Sequence, residues 1–455
     1  MFRTVGEKST VRSGSRTDRR RYPSVVIGDV RQPAGVPSQK THTKVASSRG
    51  SRVAQLKIDV PLLLVVITLL IFGLIMVYSA SYDYSANWYG NPTTIFIRQM
   101  IWLAIGVGVA LALTFVDYHY FSRVAVPALI GTIILLMGVL VVNEILNGAS
   151  RTIYRGSIQP SELAKIVTVI YLAVWLYAKQ KQLHQISFGL LPLAAILGCL
   201  GGMIVIQPDL SATVTIIVLG GLMFFLAGGD LRQIAILMIV TLVVGWAVVQ
   251  VSATGSQRIA DYMAGLKDPT ESSYHVRRSY EAFVKGGWLG VGLGRAETKL
   301  TGLPVPPTDS IFAVVGEETG VLGAVALVGL YLAFLWRGLT ISRRAPDQMG
   351  ALLAAGLCLW IAWEAFVNMA VMVNLLPFAG NALPLISAGG SNMVVTMAAI
   401  GILMNISRLS EKRKEDDGKL FHAVVNLRGR NRRRSVSGAG RASSAAGRDT
   451  GRPQS

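Results

Sequence analysis

GGWLGVGLGRAETKLTGLPVPPTDSIFAVVGEETG, residues 286–320, joins a glycine-punctuated loop to a long apolar run. Between the two stand Lys299 and the prolines Pro304, Pro306 and Pro307. Each proline ring locks φ and is excluded from a helix interior, so the chain arrives at the apolar run through a stiff turn. That turn delivers Thr308 and Asp309 to the mouth of the run, which itself contains Glu317 and Glu318. A carboxylate held at a membrane surface by a rigid turn is costly to place there without a use. Asp309 is therefore the candidate working group of a membrane-embedded enzyme. The plainer reading makes Asp309, helped by Thr308, the N-cap of the helix that follows. A capping carboxylate at a cavity mouth can still accept a proton, so both readings stand.

The chain has 455 residues, 52% of them apolar and 15% charged, with mean hydropathy +0.49. That is too apolar for a soluble domain and implies several membrane spans. The net charge of +19 sits at the ends: residues 1–57 carry +10 and residues 408–455 carry +8, leaving +1 between them. Basic tails beside spanning helices mark the cytoplasmic side and can touch anionic lipid. No aromatic or folded reader accompanies this charge, so nucleic acid is not the expected partner. Both tails are polar and without apolar periodicity, and read as disordered. The first apolar run comes too late and is too long for a cleaved signal. Cys199 and Cys358 lie in apolar runs and read as small buried side chains, in neither a disulfide nor a metal site.

A bilayer crossing needs about 20 apolar residues, and ten such runs follow one another along the chain. They cover 59–80, 94–115, 124–146, 160–178, 186–206, 210–227, 231–251, 310–336, 349–375 and 383–406. With the N-terminus inside, the short inner loops hold seven Lys/Arg and the short outer ones Arg98, Arg151 and Arg155. This bias supports an N-in, C-in topology, and an odd number of spans would strand one basic tail outside. The expected fold is an all-α polytopic membrane protein with ten transmembrane helices. Residues 253–308 form a large extracellular loop between helices seven and eight, too long for a simple connection and expected to be partly ordered. The expected organisation is a basic cytoplasmic tail over 1–57, a transmembrane domain over 58–408 and a second basic tail over 409–455.

Ionisable residues in or beside the runs are few. Glu162 and Lys165 stand three apart after Gln159-Pro160-Ser161, on one helical face; they read either as an ion pair or as the polar wall of a substrate cavity. Asp209, in Gln207-Pro208-Asp209, reads as the N-cap of the sixth helix or as a substrate contact. Glu364, one turn before Asn368, reads as a buried hydrogen-bonding group between helices, and Ser387–Ser391 as a site of close helix approach. The GVGLG run at 290–294 follows no strand and is no nucleotide loop. The five histidines have no ligand-like spacing.

Taken together the motifs resemble the SEDS family (FtsW, RodA and SpoVE) over residues 58–408. The matching stretches are Gln159–Lys165, Gln207–Asp209, Gly286–Gly294, Lys299, Leu303-Pro304, Thr308-Asp309, Phe312–Val314, Glu317-Glu318 and Gly320. Further matches are Asn368, Leu376-Pro377, Gly380, Leu383-Pro384, Ile386-Ser387 and Gly389–Ser391. The departures are Thr152 for Trp, His275, Arg278 and Glu364 for Gln, and Asn392 for a second Ser.

The resemblance implies a peptidoglycan glycosyltransferase of the bacterial cytoplasmic membrane that polymerises lipid II at the outer face. A class B penicillin-binding protein is the implied partner, beside other divisome or elongasome membrane proteins, with lipid II and an undecaprenyl-linked glycan as substrates. Asp309 is then the essential aspartate and Thr308 a substrate contact, with Gln159, Glu162, Lys165, Arg258 and Lys299 lining the cavity. Asp309 would take the hydroxyl proton of an incoming sugar as general base, with inversion at the anomeric carbon. Lys299, Arg258 or a divalent cation (Mg or Mn, held by Asp309 and substrate phosphates) would steady the departing pyrophosphate. No organic cofactor is implied. The long basic N-terminal tail points toward the FtsW branch. The rival reading is a lipid II flippase, against which stand the gathering of polar groups at one face and the lack of an inverted repeat.

Overall fold

The computed structural model describes residues 58–145 and 159–438; for residues 142–145, 253 and 416–438 it describes the backbone alone. The tails 1–57 and 439–455, and the loop containing Arg151, Thr152 and Arg155, lie outside the described residues. Among those described there are twelve α-helices and no strand: α1 (Val60–Tyr89), α2 (Thr94–Phe115), α3 (Phe121–Ile145), α4 (Pro160–Lys179), α5 (Leu190–Ile206), α6 (Leu210–Leu226), α7 (Leu231–Val251), α8 (Ala253–Lys267), α9 (Tyr274–Gly286), α10 (Ile311–Arg343), α11 (Gln348–Met372) and α12 (Gly390–Gly438). Eight of these, α1 to α4, α7 and α10 to α12, contain stretches long and apolar enough to cross a membrane. The apolar helices α5 and α6 have 17 residues each, which at about 1.5 Å per residue falls short of a bilayer's roughly 30 Å.

Several helices, α1, α4, α6 and α7 among them, begin where the sequence signals place them. Asp59 caps α1, accepting a bond from the Leu62 amide at 3.1 Å, and Pro61 occupies the first turn, where its missing N–H costs nothing. The same carboxylate receives a bidentate pair from Arg337 of α10, at 2.8 Å on each oxygen, and the Ser407 hydroxyl of α12 at 3.1 Å. Asp59 thus ties three helices together at one end.

α11 is buried along most of its length, with Trp360 wholly enclosed, and packs against α4, α6, α10 and α12. α7 leaves nearly all its apolar surface uncovered, the pattern of a helix whose solvent is lipid. The expected loop at 253–308 holds two helices, α8 and α9, the latter amphipathic and packed on α10 and α11.

Two expectations are corrected. The last span was placed from residue 383, but residues 383–389 are non-helical and α12 starts at Gly390. Pro384 and the Gly389-Gly390 pair disfavour helix here, and Leu385 sits at φ 67. α12 also runs on to Gly438, past residue 408 where a tail was expected; the Lys, Arg and Glu after 408 have good helix propensity.

α10 is interrupted at Gly320 (φ 68, ψ −171). A break inside a buried helix must satisfy the backbone groups it frees. The glycine loop does so: the Val321 and Leu322 amides donate to Gly287 and Trp288 carbonyls at 2.9 and 3.2 Å, and the Val291 and Gly292 amides donate to Glu317 and Glu318 carbonyls at 3.0 and 3.1 Å. Gly290 has φ +80, and a Cβ there would lie 2.2 Å from the Glu318 carbonyl oxygen. Gly290→Ala is expected to lower the unfolding midpoint in detergent, by about 1–3 kcal/mol of backbone strain or more. Gly294→Ala, with similar φ but open space around it, should cost less; equal losses in the two variants would refute the close-approach argument.

Candidate active site

The loop that leaves this splice is pinned before it reaches Asp309. Glu317 accepts the Glu297 amide at 2.9 Å and the Thr298 amide and hydroxyl, so this buried carboxylate closes the turn rather than facing a ligand. Lys299 pairs with buried Glu318 at 2.9 Å and donates to the Ser79 hydroxyl at 3.0 Å and the Gly294 carbonyl at 3.1 Å. Its side chain is only 4% exposed. Lys299 was expected in the substrate cavity; the structure instead spends its charge on a carboxylate that would otherwise be buried unpaired.

Beyond the prolines, three bonds hold the backbone of 307–309. Ala388 N–H donates to the Pro307 carbonyl at 2.8 Å, the Ser387 hydroxyl to that of Thr308 at 2.6 Å, and Asn368 Nδ2 to that of Asp309 at 2.9 Å. Asn368 also donates to the Asn381 carbonyl at 2.6 Å, so α11 grips both flanks of the site. The capping position of α10 is Ser310, not Asp309. Asp309 is half-buried, and a Cβ on Gly380 would lie 3.0 Å from its Oδ2, close enough that the carboxylate would have to shift.

Asp309 and Thr308 line a cavity of about 210 Å³ together with Gln159, Glu162, Lys165, Asp209 and Glu364. Four of the six expected binding residues thus meet the expected base. Lys165 Nζ stands 2.9 Å from Glu162 Oε2 and pairs also with Glu364 of α11, all three side chains being buried. Asn392 Nδ2 donates to the same Glu162 oxygen at 3.2 Å. The two readings of Glu162 and Lys165 are both realised, since they are an ion pair and a cavity wall. Asp209 caps α6 through the Ala212 amide at 3.2 Å, while its other oxygen receives Gln159 Nε2 at 2.9 Å and the Ser161 hydroxyl at 3.0 Å. Arg258 is not among the lining residues; its guanidinium lies 5.5 Å from the Phe378 ring, two residues from Gly380.

Sequence reasoning missed Glu364 as the second partner of Lys165, the bond of Asn392 to Glu162, and Gln99 altogether. Glu364 carried a signal, a lone carboxylate inside an apolar run, but its partner is 199 residues away. Among the described residues no group of three or more His, Cys, Asp or Glu is arranged to hold a metal ion. Glu162 and Glu364 are drawn to Lys165 and Asp209 to its helix, so the donor set does not make a protein metal cage.

Residues 60–412 match the cell cycle protein family FtsW/RodA/SpoVE. The chain belongs to that family. It is 38% identical over 359 residues to a protein of Trichlorobacter lovleyi named probable peptidoglycan glycosyltransferase FtsW, which covers 77% of this chain and 93% of the relative. A protein of Geobacter sp. (strain M18) with the same name is 35% identical over 354 residues, covering 77% of this chain and 96% of its own. The fold is similar to the crystal structure of the Thermus thermophilus rod shape determining protein RodA, with TM-score 0.56 at 22% identity over 78% of this chain and 98% of that one. It is similar also to a chain of a peptidoglycan synthase complex described as coordinating polymerization and crosslinking, with TM-score 0.62 at 23% identity and the same coverage.

In this FtsW/RodA/SpoVE family member, Lys165→Met leaves two buried carboxylates without their cation. It should cost about 3–5 kcal/mol of stability, while Glu162→Gln and Glu364→Gln added together should return much of the loss. A second expectation concerns pH. His275 stacks on Phe378 at 4.2 Å and lies 3.3 Å from the Ser310 hydroxyl; burial, then the charge of Arg258, pushes its pKa down to about 4. The unfolded chain, near the ordinary 6.5, takes up this proton first. Stability should therefore be unaffected by His275 above pH 6.5 and fall as pH drops from there toward 4. His275→Gln should flatten that limb of the unfolding curve, and an unchanged limb would show the ring is not the group responsible.

Proposed function

We propose that this chain is a peptidoglycan glycosyltransferase that polymerises lipid II into glycan strands at the outer face of the bacterial cytoplasmic membrane. The names of its relatives support the activity, and the observation that carries the chemistry is Asp309, half-buried, on a backbone pinned at the lip of a polar cavity. In this reading the 4-hydroxyl of an incoming lipid II attacks the anomeric carbon of the undecaprenyl-linked glycan. The new C–O bond forms as the anomeric C–O bond to phosphate breaks, the electron pair leaves with the pyrophosphate, and Asp309 accepts the hydroxyl proton. The anomeric carbon is inverted. Thr308 and Gln159 would position the sugar, while the Glu162–Lys165–Glu364 cluster keeps the floor rigid.

Ten spans with both termini inside follow if α5 and α6 cross as well; the Lys/Arg bias of the short loops and the two basic tails support it. Residues 58–408 then form the enzyme and 253–308 its outer loop, with cytoplasmic basic tails at both ends. A divalent cation, Mg or Mn, would take Asp309 as protein ligand and its other ligands from substrate phosphates and water, supplying charge neutralisation; no step above depends on it. A class B penicillin-binding protein is the proposed partner, alongside other divisome or elongasome membrane proteins, in line with the synthase complex whose chain shares the fold.

Purified protein given lipid II in detergent should make polymer, and Asp309→Asn should lower the rate by about 10²–10⁴-fold, the usual weight of a general base. A flippase would make no polymer in detergent at all.

A further inference from the structure

Lys299 is buried on Glu318 and Arg258 does not line the Asp309 cavity, so neither side chain the sequence had offered the departing pyrophosphate stands beside the proposed base. We propose that a second cavity, beside the first, holds the diphosphate end of the sugar donor, with Arg98 as the residue that binds it. This rests on the glycosyltransferase reading and names the subsite that reading leaves open.

The second cavity, of about 210 Å³, lies where the last turns of α1 meet the first turns of α2 and the 305–308 turn. It shares Thr308, Ala388, Gly389 and Gly390 with the Asp309 cavity, so the two meet at a common wall next to the proposed base. That wall is built: Gln99 is buried, its Nε2 donates to the Ser387 carbonyl at 3.2 Å, and its Oε1 accepts the Gly389 amide at 3.1 Å. Gly389 and Gly390 contribute no side chain to that wall.

Charge separates the two. Glu162, Asp209, Asp309 and Glu364 line the first cavity against Lys165 alone, and a diphosphate entering it would meet like charge in a poorly screened site. The charged residue lining the second cavity is Arg98, half-buried in the first turns of α2. A guanidinium presents paired N–H groups that match phosphate oxygens bidentately. Tyr84 and Trp102 complete the wall. An interfacial aromatic belt accounts for such rings by itself, but not for an arginine lining a pocket whose other wall carries Thr308. The polyprenyl chain would leave along the exposed apolar surface of α2, where Ile97, Ile101 and Ile105 lie uncovered. In the transfer step Arg98 would hold the oxygen that keeps the electron pair when the anomeric bond breaks, while the proton goes to Asp309 on the other side of the wall.

The test reads binding without turnover. Full-length protein carrying Asp309→Asn is titrated with undecaprenyl pyrophosphate in detergent, and the same protein with Arg98→Ala or Arg98→Lys is compared. Arg98→Ala should weaken binding at least tenfold and Arg98→Lys by less, with unfolding midpoints unchanged. If Arg98→Ala does not fold, the Lys variant and Gly389→Leu, which fills the shared wall, give the answer: each should weaken the same probe. Inorganic pyrophosphate should compete weakly and phosphatidylglycerol not at all. Equal binding by the Arg98 variants, or full competition by phosphatidylglycerol, overturns the proposal, the latter making this a general lipid head-group site. A wild-type protein that makes no polymer would sink the glycosyltransferase reading instead, whatever the Arg98 titration shows.

Discussion

A buried helix that breaks in mid-course survives only if each freed N–H and C=O finds a partner within the protein. Here that condition is met by one splice, in which residues 287–292 lie against the interruption of α10 at Gly320 and exchange four backbone hydrogen bonds with it. The splice ends α9 against α10 and sets the point from which the chain sets out toward Asp309. Glycine is required on both sides because the two backbones approach within the radius of a Cβ. Glu317 and Glu318 then draw residues 297–299 onto the first half of α10. Two carboxylates that look like candidate chemistry in the sequence are thereby used to hold a loop.

The same logic divides the remaining charges. Each buried carboxylate in the described membrane helices has a stated partner: Glu162 and Glu364 share Lys165, and Glu318 has Lys299. In a medium of low dielectric such pairs are costly to break, and this gives the cavity walls their rigidity. Asp309 differs in standing outside the helices, on a turn whose carbonyls are held by Asn368, Ser387 and Ala388. A rigid backbone with a half-buried carboxylate is the arrangement a proton acceptor needs, because its position is set before substrate arrives.

The family's expected cavity was legible in part. Gln159, Glu162, Lys165, Thr308 and Asp309 meet around one space, and all five stand in short motifs of polar residues at the ends of apolar runs, where a one-dimensional reading can see them. Lys299 and Arg258 were assigned by the same means, yet neither lines that space. A motif position says that a residue is needed, not whether it faces a ligand or a neighbouring helix. Glu364 and Asn392 illustrate the converse: nothing local says what they pair with, and both close on the Glu162–Lys165 pair.

By itself the sequence determined the solvent and the elements. Apolar runs of bilayer length, broken by Pro, Gly and Asp at their ends, are local properties, and α1, α4, α7 and α11 start within a residue or so of where those signals stand. Asp59 before Pro61 and Asp209 before α6 were likewise readable as caps, since a cap acts on amides two or three residues away. Tertiary structure alone decided what lies across the bundle. The break at Gly320, the second carboxylate on Lys165 and the Gln99 wall all depend on partners tens to hundreds of residues distant. Hydrophobic periodicity carries no record of such partners, because burial in lipid and burial in protein ask for the same side chains.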